Sequence, residues 1–384
     1  MCTINFFLAY WEKYDNSVIY NNFITEVVMK NICTIQAGEK AYAIIKDEGL
    51  QKERIKCMLG AAGGPKWIIL YGLDKALYKA FLKKRKNSVY MIGSSIATWR
   101  FAALSLADGL QGIEAFKERY FAQQYSMQPD RHEITAETVA ILEAFLPDSK
   151  VDEIVKHPTQ RLCIITARSR HLLQYDDTFS LGVGLGINAV TNIFSRKLVG
   201  LHFDRFAFYD AREFPSFIQW ENYHTQYIPL NNNNLKTAVL ASGSIPLVMN
   251  GVVFQHDGKT HILRDGGLVD YQQDLPLEPG DYIALYPHYS DRIIPGWFDK
   301  PLKYRKPYHA LENVCMVSPS KEAIASLRYK KIPDRKDFYT FAGDDSRRLS
   351  FWNETVALGQ QIAEEFMELV ESGRIKDKVI PFKR

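Results

Sequence analysis

One serine and one aspartate in this chain are placed where they could make and break an acyl bond together. Ser95 follows the short apolar run Val89 to Ile92 and then Gly93, and it precedes the helix-like stretch Ile96 to Leu104. A buried strand, a tight turn and a helix lift a serine hydroxyl clear of a sheet, the geometry of a nucleophile elbow. The helix N-terminus behind it favours the negative charge that develops during attack. Gly93 suits the turn because a Cβ there would crowd it. The pattern reads Gly-x-Ser-x-Ala, with Ala97 in the last place. The competing reading is an ordinary strand-to-helix turn with a serine N-cap.

Serine needs a base to become a nucleophile at neutral pH. None of the nine histidines lies in a catalytic signature. His256 and His261 flank a predicted hairpin turn and read as surface residues, whereas His288, just past the strand Tyr282 to Tyr286, remains an alternative base. The other solution is an aspartate bonded directly to the serine. Asp265 ends an apolar run, and Gly266 and Gly267 let the backbone turn and approach closely. Its competing reading is a common Asp-Gly turn. A third loop, Gly60 to Trp67, follows the predicted strand Arg54 to Leu59. As a phosphate loop it fails, because Pro65 stands where the second glycine belongs and Trp67 where the metal-binding hydroxyl belongs. As an oxyanion hole it does better: Gly63 and Gly64 offer unobstructed backbone N–H groups, and Pro65 suits the first helical position.

The elements that must position these residues alternate. Strand, Gly-rich loop and helix are followed by strand, serine turn and helix, a series that marks a parallel sheet covered by helices. In such sheets ligands gather outside the carboxyl ends of the strands. Ala37 to Leu50 reads as a helix capped at Gly49. Residues 107–157 read as an inserted helical lobe. Arg161 to Thr166 and Phe203 to Tyr209 read as strands, Leu235 to Leu240 as a helix, and Asp257-Gly258 as a hairpin turn. Tyr282 to Tyr286 is expected to be the last central strand. Ser180 to Ile187, with alternating glycines, reads as a helix packed closely on its neighbour rather than a dinucleotide loop. A long amphipathic helix over about 349–372 is expected to cover the sheet.

Composition sets outer bounds. With 384 residues, 46% of them hydrophobic, the chain can bury a sizeable core. A net charge of +4 does not imply nucleic acid and suits weak attraction to an anionic membrane. The five cysteines contain no CxxC pair, so a disulfide framework or zinc site is not expected. Residues 1–28 are aromatic and poorly patterned and read as an N-terminal extension or docking segment, with Met29 as an alternative start, ahead of one α/β domain over 29–384. No signal peptide or spanning segment is read, and a cytoplasmic location with peripheral membrane contact is expected. Ile293, Ile294, Trp297 and Phe298, followed by Lys300, Lys303, Arg305 and Lys306, have the composition of an interfacial anchor; a loop tucked over the core is the alternative.

Taken together, Gly63-Gly64-x-Lys66, Gly93-x-Ser95 and Asp265-Gly266-Gly267 resemble the three motifs of the patatin-like phospholipase family, in the same order over about residues 55–286. Ala241 to Pro246 and Leu268 to Asp270 look like the segments that bracket the family's third motif. Ala62, Trp67 and Ala97 depart from it where glycines are usual. The resemblance implies a three-layer α/β/α fold with a mostly parallel sheet. It also implies a Ser95–Asp265 dyad and hydrolysis of lipid acyl esters, with neither metal nor cofactor. Lys66 then orients the loop or faces a headgroup, or is a plain surface lysine. The rival readings are an esterase or thioesterase on small soluble acyl compounds, and a catalytically silent member that binds lipid or a partner protein.

Overall fold

The computed structural model describes residues 31–220, 222–307 and 311–382; the expected extension over 1–28 and His309 lie outside them. Eleven strands form one mixed sheet: β1 (Cys33–Ala37), β2 (Ile55–Gly60), β3 (Val89–Ser94), β4 (Gln160–Ser169), β5 (Phe203–Asp210), β6 (Thr225–Leu230), β7 (Val252–His256), β8 (Lys259–Asp265), β9 (Ile283–Pro287), β10 (Val314–Pro319) and β11 (Ile380–Pro381). Their order is β11-β1-β10-β9-β2-β3-β4-β5-β6, with β8 paired to β4 and β7 to β8. The central run β10-β9-β2-β3-β4 is parallel throughout. All six residues of β3 are buried, as a strand covered on both faces requires.

Helices flank this sheet in an α/β/α arrangement. They include α1 (Glu39–Glu48), α2 (Tyr71–Leu77), α3 (Ile96–Leu104), α4 (Gly109–Phe121), α5 (Arg131–Phe145), α6 (Thr178–Phe194), α7 (Leu235–Gly243) and α8 (Asp345–Glu371). The crossovers β2–α2–β3 and β3–α3–β4 build the parallel core from adjacent units, and α4 and α5 occupy the segment read as a helical lobe. Asp257 and Gly258 both have positive φ, at 49° and 69°, as a two-residue hairpin turn between right-twisted strands demands.

Three sequence expectations need correction. Tyr282 to Tyr286 is not the last central strand: β10 pairs parallel with β9, and β1 pairs antiparallel beyond it. The long C-terminal helix starts earlier, at Asp345, where Asp344 accepts the Arg347 N–H at 3.1 Å. It packs chiefly on the helical segment behind the Gly-rich loop, where Gly359 meets Ile69 and Gly72 meets Gln360 with no room for a Cβ on either glycine. Of the glycines in helix α6, only Gly184 packs closely on a neighbour, against Leu173; Gly182 and Gly186 have no atom within reach of a Cβ.

Candidate active site

The elbow at Ser95 is a strained turn. Ser95 has φ 54° and ψ −135°, a conformation that costs a non-glycine residue about 1–3 kcal/mol and persists only where surroundings impose it. The surroundings are on hand. The Ser95 N–H donates to Ser242 Oγ at 2.9 Å, and that hydroxyl donates to the Ile165 carbonyl at 2.7 Å. Ala97 fills the narrow space between β2 and β3: a Cβ built on Gly60 would lie 2.5 Å from Ala97 Cβ, and one on Gly93 would lie 3.2 Å from it. The alanine in the elbow's last place therefore packs directly against both glycines.

Asp265, at the end of β8, completes the pair. Ser95 Oγ donates to Asp265 Oδ2 at 2.7 Å, and both residues are buried. The other carboxylate oxygen accepts the Gly267 N–H at 2.7 Å, which fixes the carboxylate plane. The Asp265 N–H donates to the Ser244 carbonyl at 2.8 Å, so the single segment Ser242–Ser244 holds both members of the pair. Gly266 passes so close to the Ile165 carbonyl that a Cβ would sit 2.0 Å from it. Burial raises the Asp265 pKa, against the opposing pull of Arg335, the Ser95 and Gly267 hydrogen bonds and Lys300. Beyond the glycines, Asp270 anchors the loop. Its carboxylate takes two bonds from Arg205, at 2.6 and 3.0 Å, and its carbonyl accepts from Ser94 Oγ at 2.6 Å.

The Gly-rich loop lies beside this pair. Gly64, Pro65, Ser95 and Ile96 line one cavity of ≈ 290 Å³, whose walls include Trp99, Ile134, Ile141 and Val248. Gly64 has φ 56°, a left-handed conformation that glycine adopts freely. Among the described residues neither the Gly63 nor the Gly64 N–H has a backbone or side-chain acceptor, and Gly63 packs against the Tyr289 ring. The Ile96 N–H opens α3 just after the serine. Ala62 is held at both ends of its peptide, its N–H by the Tyr271 carbonyl at 2.8 Å and its carbonyl by Tyr289 Oη at 2.7 Å. Trp67 is a core residue, 4.8 Å from Phe116 and 5.5 Å from Tyr120 between ring centroids. Lys66 turns its ammonium over the Tyr289 ring at 5.0 Å, and desolvation lowers its pKa.

The structure brings two residues to the site that sequence reasoning did not single out. Arg335 lines the cavity and also the cleft between Ser95, Asp265 and Trp297, and lies against Gly64. No motif surrounds it in the sequence. Ser242 was visible only as part of a segment flanking the third motif. Lys300 sets its ammonium 4.0 Å over the Tyr271 ring. Desolvation, then the like charges of Arg335 and Lys66, lower its pKa to about 7, although the residue keeps an exposed face. His288 has no part in the pair. It is buried beside Tyr289, its Nδ1 lies 2.6 Å from the Ser290 carbonyl, and burial holds its pKa down at about 4.

Beneath the site, Arg100 of α3 and Asp74 of α2 form a fully buried ion pair, with Nε–Oδ2 2.7 Å and Nη2–Oδ1 2.5 Å. It ties the helix behind the serine to the helix behind the Gly-rich loop. No group of His, Cys, Asp and Glu among the described residues could hold a metal ion. The fold and site thus define an α/β protein with a serine on a strand-to-helix turn bonded to the carboxylate of an aspartate at a strand end. No family model and no curated protein matches the chain. Two solved structures are similar in fold to a limited extent. VipD from Legionella pneumophila has a TM-score of 0.33 and 10% identity over 90% of this chain and 72% of its own. Human GIVD cytosolic phospholipase A2 has a TM-score of 0.33 and 11% identity over 86% of this chain and 64% of its own.

Proposed function

We propose that the protein hydrolyses carboxylic esters of lipids through a Ser95–Asp265 dyad. The observation that carries the reading is the 2.7 Å bond from Ser95 Oγ to Asp265 Oδ2 at the wall of an apolar cavity. Asp265 accepts the hydroxyl proton as Ser95 Oγ attacks the acyl carbonyl carbon. The N–H groups of Gly63, Gly64 and Ile96 are the candidate donors to the oxyanion, a contribution of about 10²–10³ in turnover per donor. Collapse of the tetrahedral intermediate expels the alcohol, which leaves with the proton from Asp265. Water, deprotonated by Asp265, then attacks the acyl-enzyme and regenerates Ser95. The cavity walls accept the acyl chain, while Arg335 gives the cleft a positive wall suited to an anionic group near the ester. Lys66 faces the segment carrying Arg335 and reads as a loop-orienting residue.

The test uses a fluorophosphonate probe together with a graded series of p-nitrophenyl esters and phospholipid vesicles. Wild type should be labelled at Ser95 and should release acid from the esters, with a preference for longer chains. Ser95→Ala should do neither while staying folded. Labelling elsewhere, or full turnover by Ser95→Ala, rules out the dyad.

A further inference from the structure

The helix α6 is apolar on its outer face as well as its inner one. Its seventeen residues carry no charged side chain. Its inward side buries Leu181, Leu185, Asn188 and Asn192, while its outward side presents Phe179 at 80% exposure, Ile187 at 47%, Val190 at 56% and Phe194 at 80%. Val183 belongs to the same stripe, and Leu172, on the turn that packs beside Gly184, extends it. An ordinary surface helix turns a charged or polar face to water. Gly182 and Gly186 leave the outward side open, so a flat surface could approach the helix backbone there.

From this face we infer that α6 is a membrane-docking helix, lying in the interface of an anionic lipid surface with the active-site mouth turned to the same side. The length excludes a spanning role. Seventeen residues reach about 26 Å, short of the roughly 30 Å hydrocarbon layer, and no helix among the described residues is long and apolar enough to cross. Charge selects the lipid. Lys197, Lys303 and Lys306 are exposed near the helix C-terminus, where Arg305 Nη2 also donates to the Asn192 carbonyl at 2.8 Å. An apolar face bordered by cations is what an interfacial helix offers to acidic headgroups.

Both ends of the helix are tied to the walls of the candidate site. Just before the helix, Asp176 accepts the Gly251 N–H at 3.1 Å, beside Val248 and Met249 of the cavity wall. Near its end, Asn192 Nδ2 donates to Asp299 Oδ1 at 2.9 Å, two residues from Trp297 at the cleft. A surface holding α6 therefore lies alongside the entrance to Ser95. Of the expected anchor, Ile293 is buried and Trp297 lines the cleft, while Ile294 and Phe298 are half-buried. The docking role of α6 deepens the lipid-ester reading and rests on it for its purpose, but binding can be read without catalysis.

The experiment is co-sedimentation with vesicles of phosphatidylcholine, with and without phosphatidylserine. It compares wild type, Ser95→Ala and the triple variant F179S/I187S/F194S, with thermal unfolding and sedimentation velocity run beside it. The three substituted side chains are exposed, so the variant should melt like wild type and cleave a short soluble ester at the wild-type rate. Wild type and Ser95→Ala should bind phosphatidylserine vesicles equally, and the triple variant should lose roughly 100-fold in affinity. Equal binding by the triple variant, or no vesicle binding by wild type, overturns the inference. So does a wild-type dimer that the triple variant converts to monomer, since a second copy then covers the face. Vesicle binding by a wild type that cleaves no ester refutes the hydrolase reading and leaves the docking helix standing.

Discussion

Replacing Asp265 by asparagine tests the proposed dyad most sharply, because the change removes the proposed base while keeping its shape. An asparagine oxygen can still accept the Gly267 N–H that Asp265 Oδ1 takes at 2.7 Å. The amide nitrogen then faces Ser95 Oγ and donates where the carboxylate accepted. His288 does not stand in for it, being buried and bonded to the Ser290 carbonyl. The whole general-base contribution should therefore vanish, a fall of roughly 10⁴ in kcat, the upper end of what such a base supplies. Stability should move the other way. Burial raises the Asp265 pKa in the folded state, so the wild type loses stability as pH rises from the unfolded value through the folded one. Asp265→Asn has no such loss and should be at least as stable as wild type at neutral pH. Hydrolysis of a p-nitrophenyl ester and thermal melts across pH read both effects. An Asp265→Asn enzyme within tenfold of wild type would falsify the assignment of Asp265 as base.

Three further outcomes follow from the same geometry. Activity should rise with pH through a limb above the ordinary 3.8 of an aspartate; Arg335→Met, which removes a cation that lowers the Asp265 pKa, should move that limb to higher pH in kcat/KM profiles. Arg100→Ala or Asp74→Ala should cost about 3–5 kcal/mol in urea unfolding by leaving a bare buried charge, whereas the double variant Arg100→Met/Asp74→Leu should recover most of that loss. Ala97→Val should destabilise by about 1–3 kcal/mol and lower kcat, because the added methyls have only Gly60 and Gly93 to press on; an unchanged melt and unchanged kcat would show that the elbow is loosely packed.

Much of the fold was legible because its central units are local. A buried strand, a glycine turn and a helix are written in consecutive residues, so β2, β3, α3 and the Asp257-Gly258 hairpin are recoverable from periodicity and turn chemistry. The outer strands were less legible. β1 and β10 pair across more than 270 residues, from Cys33 with Pro319 to Ala37 with Cys315, and no local signal announces such a partner. For the site, residue types and spacing determined that Ser95, Asp265 and the glycines before Pro65 were the groups to watch. Only the tertiary structure decided that aspartate rather than His288 meets the serine, because 170 residues separate two atoms 2.7 Å apart. It alone brought Arg335 to Gly64, and it alone turned the apolar stripe of α6 outward. A helical pattern marks an apolar face in the sequence; which way that face points is set by what the rest of the chain packs against.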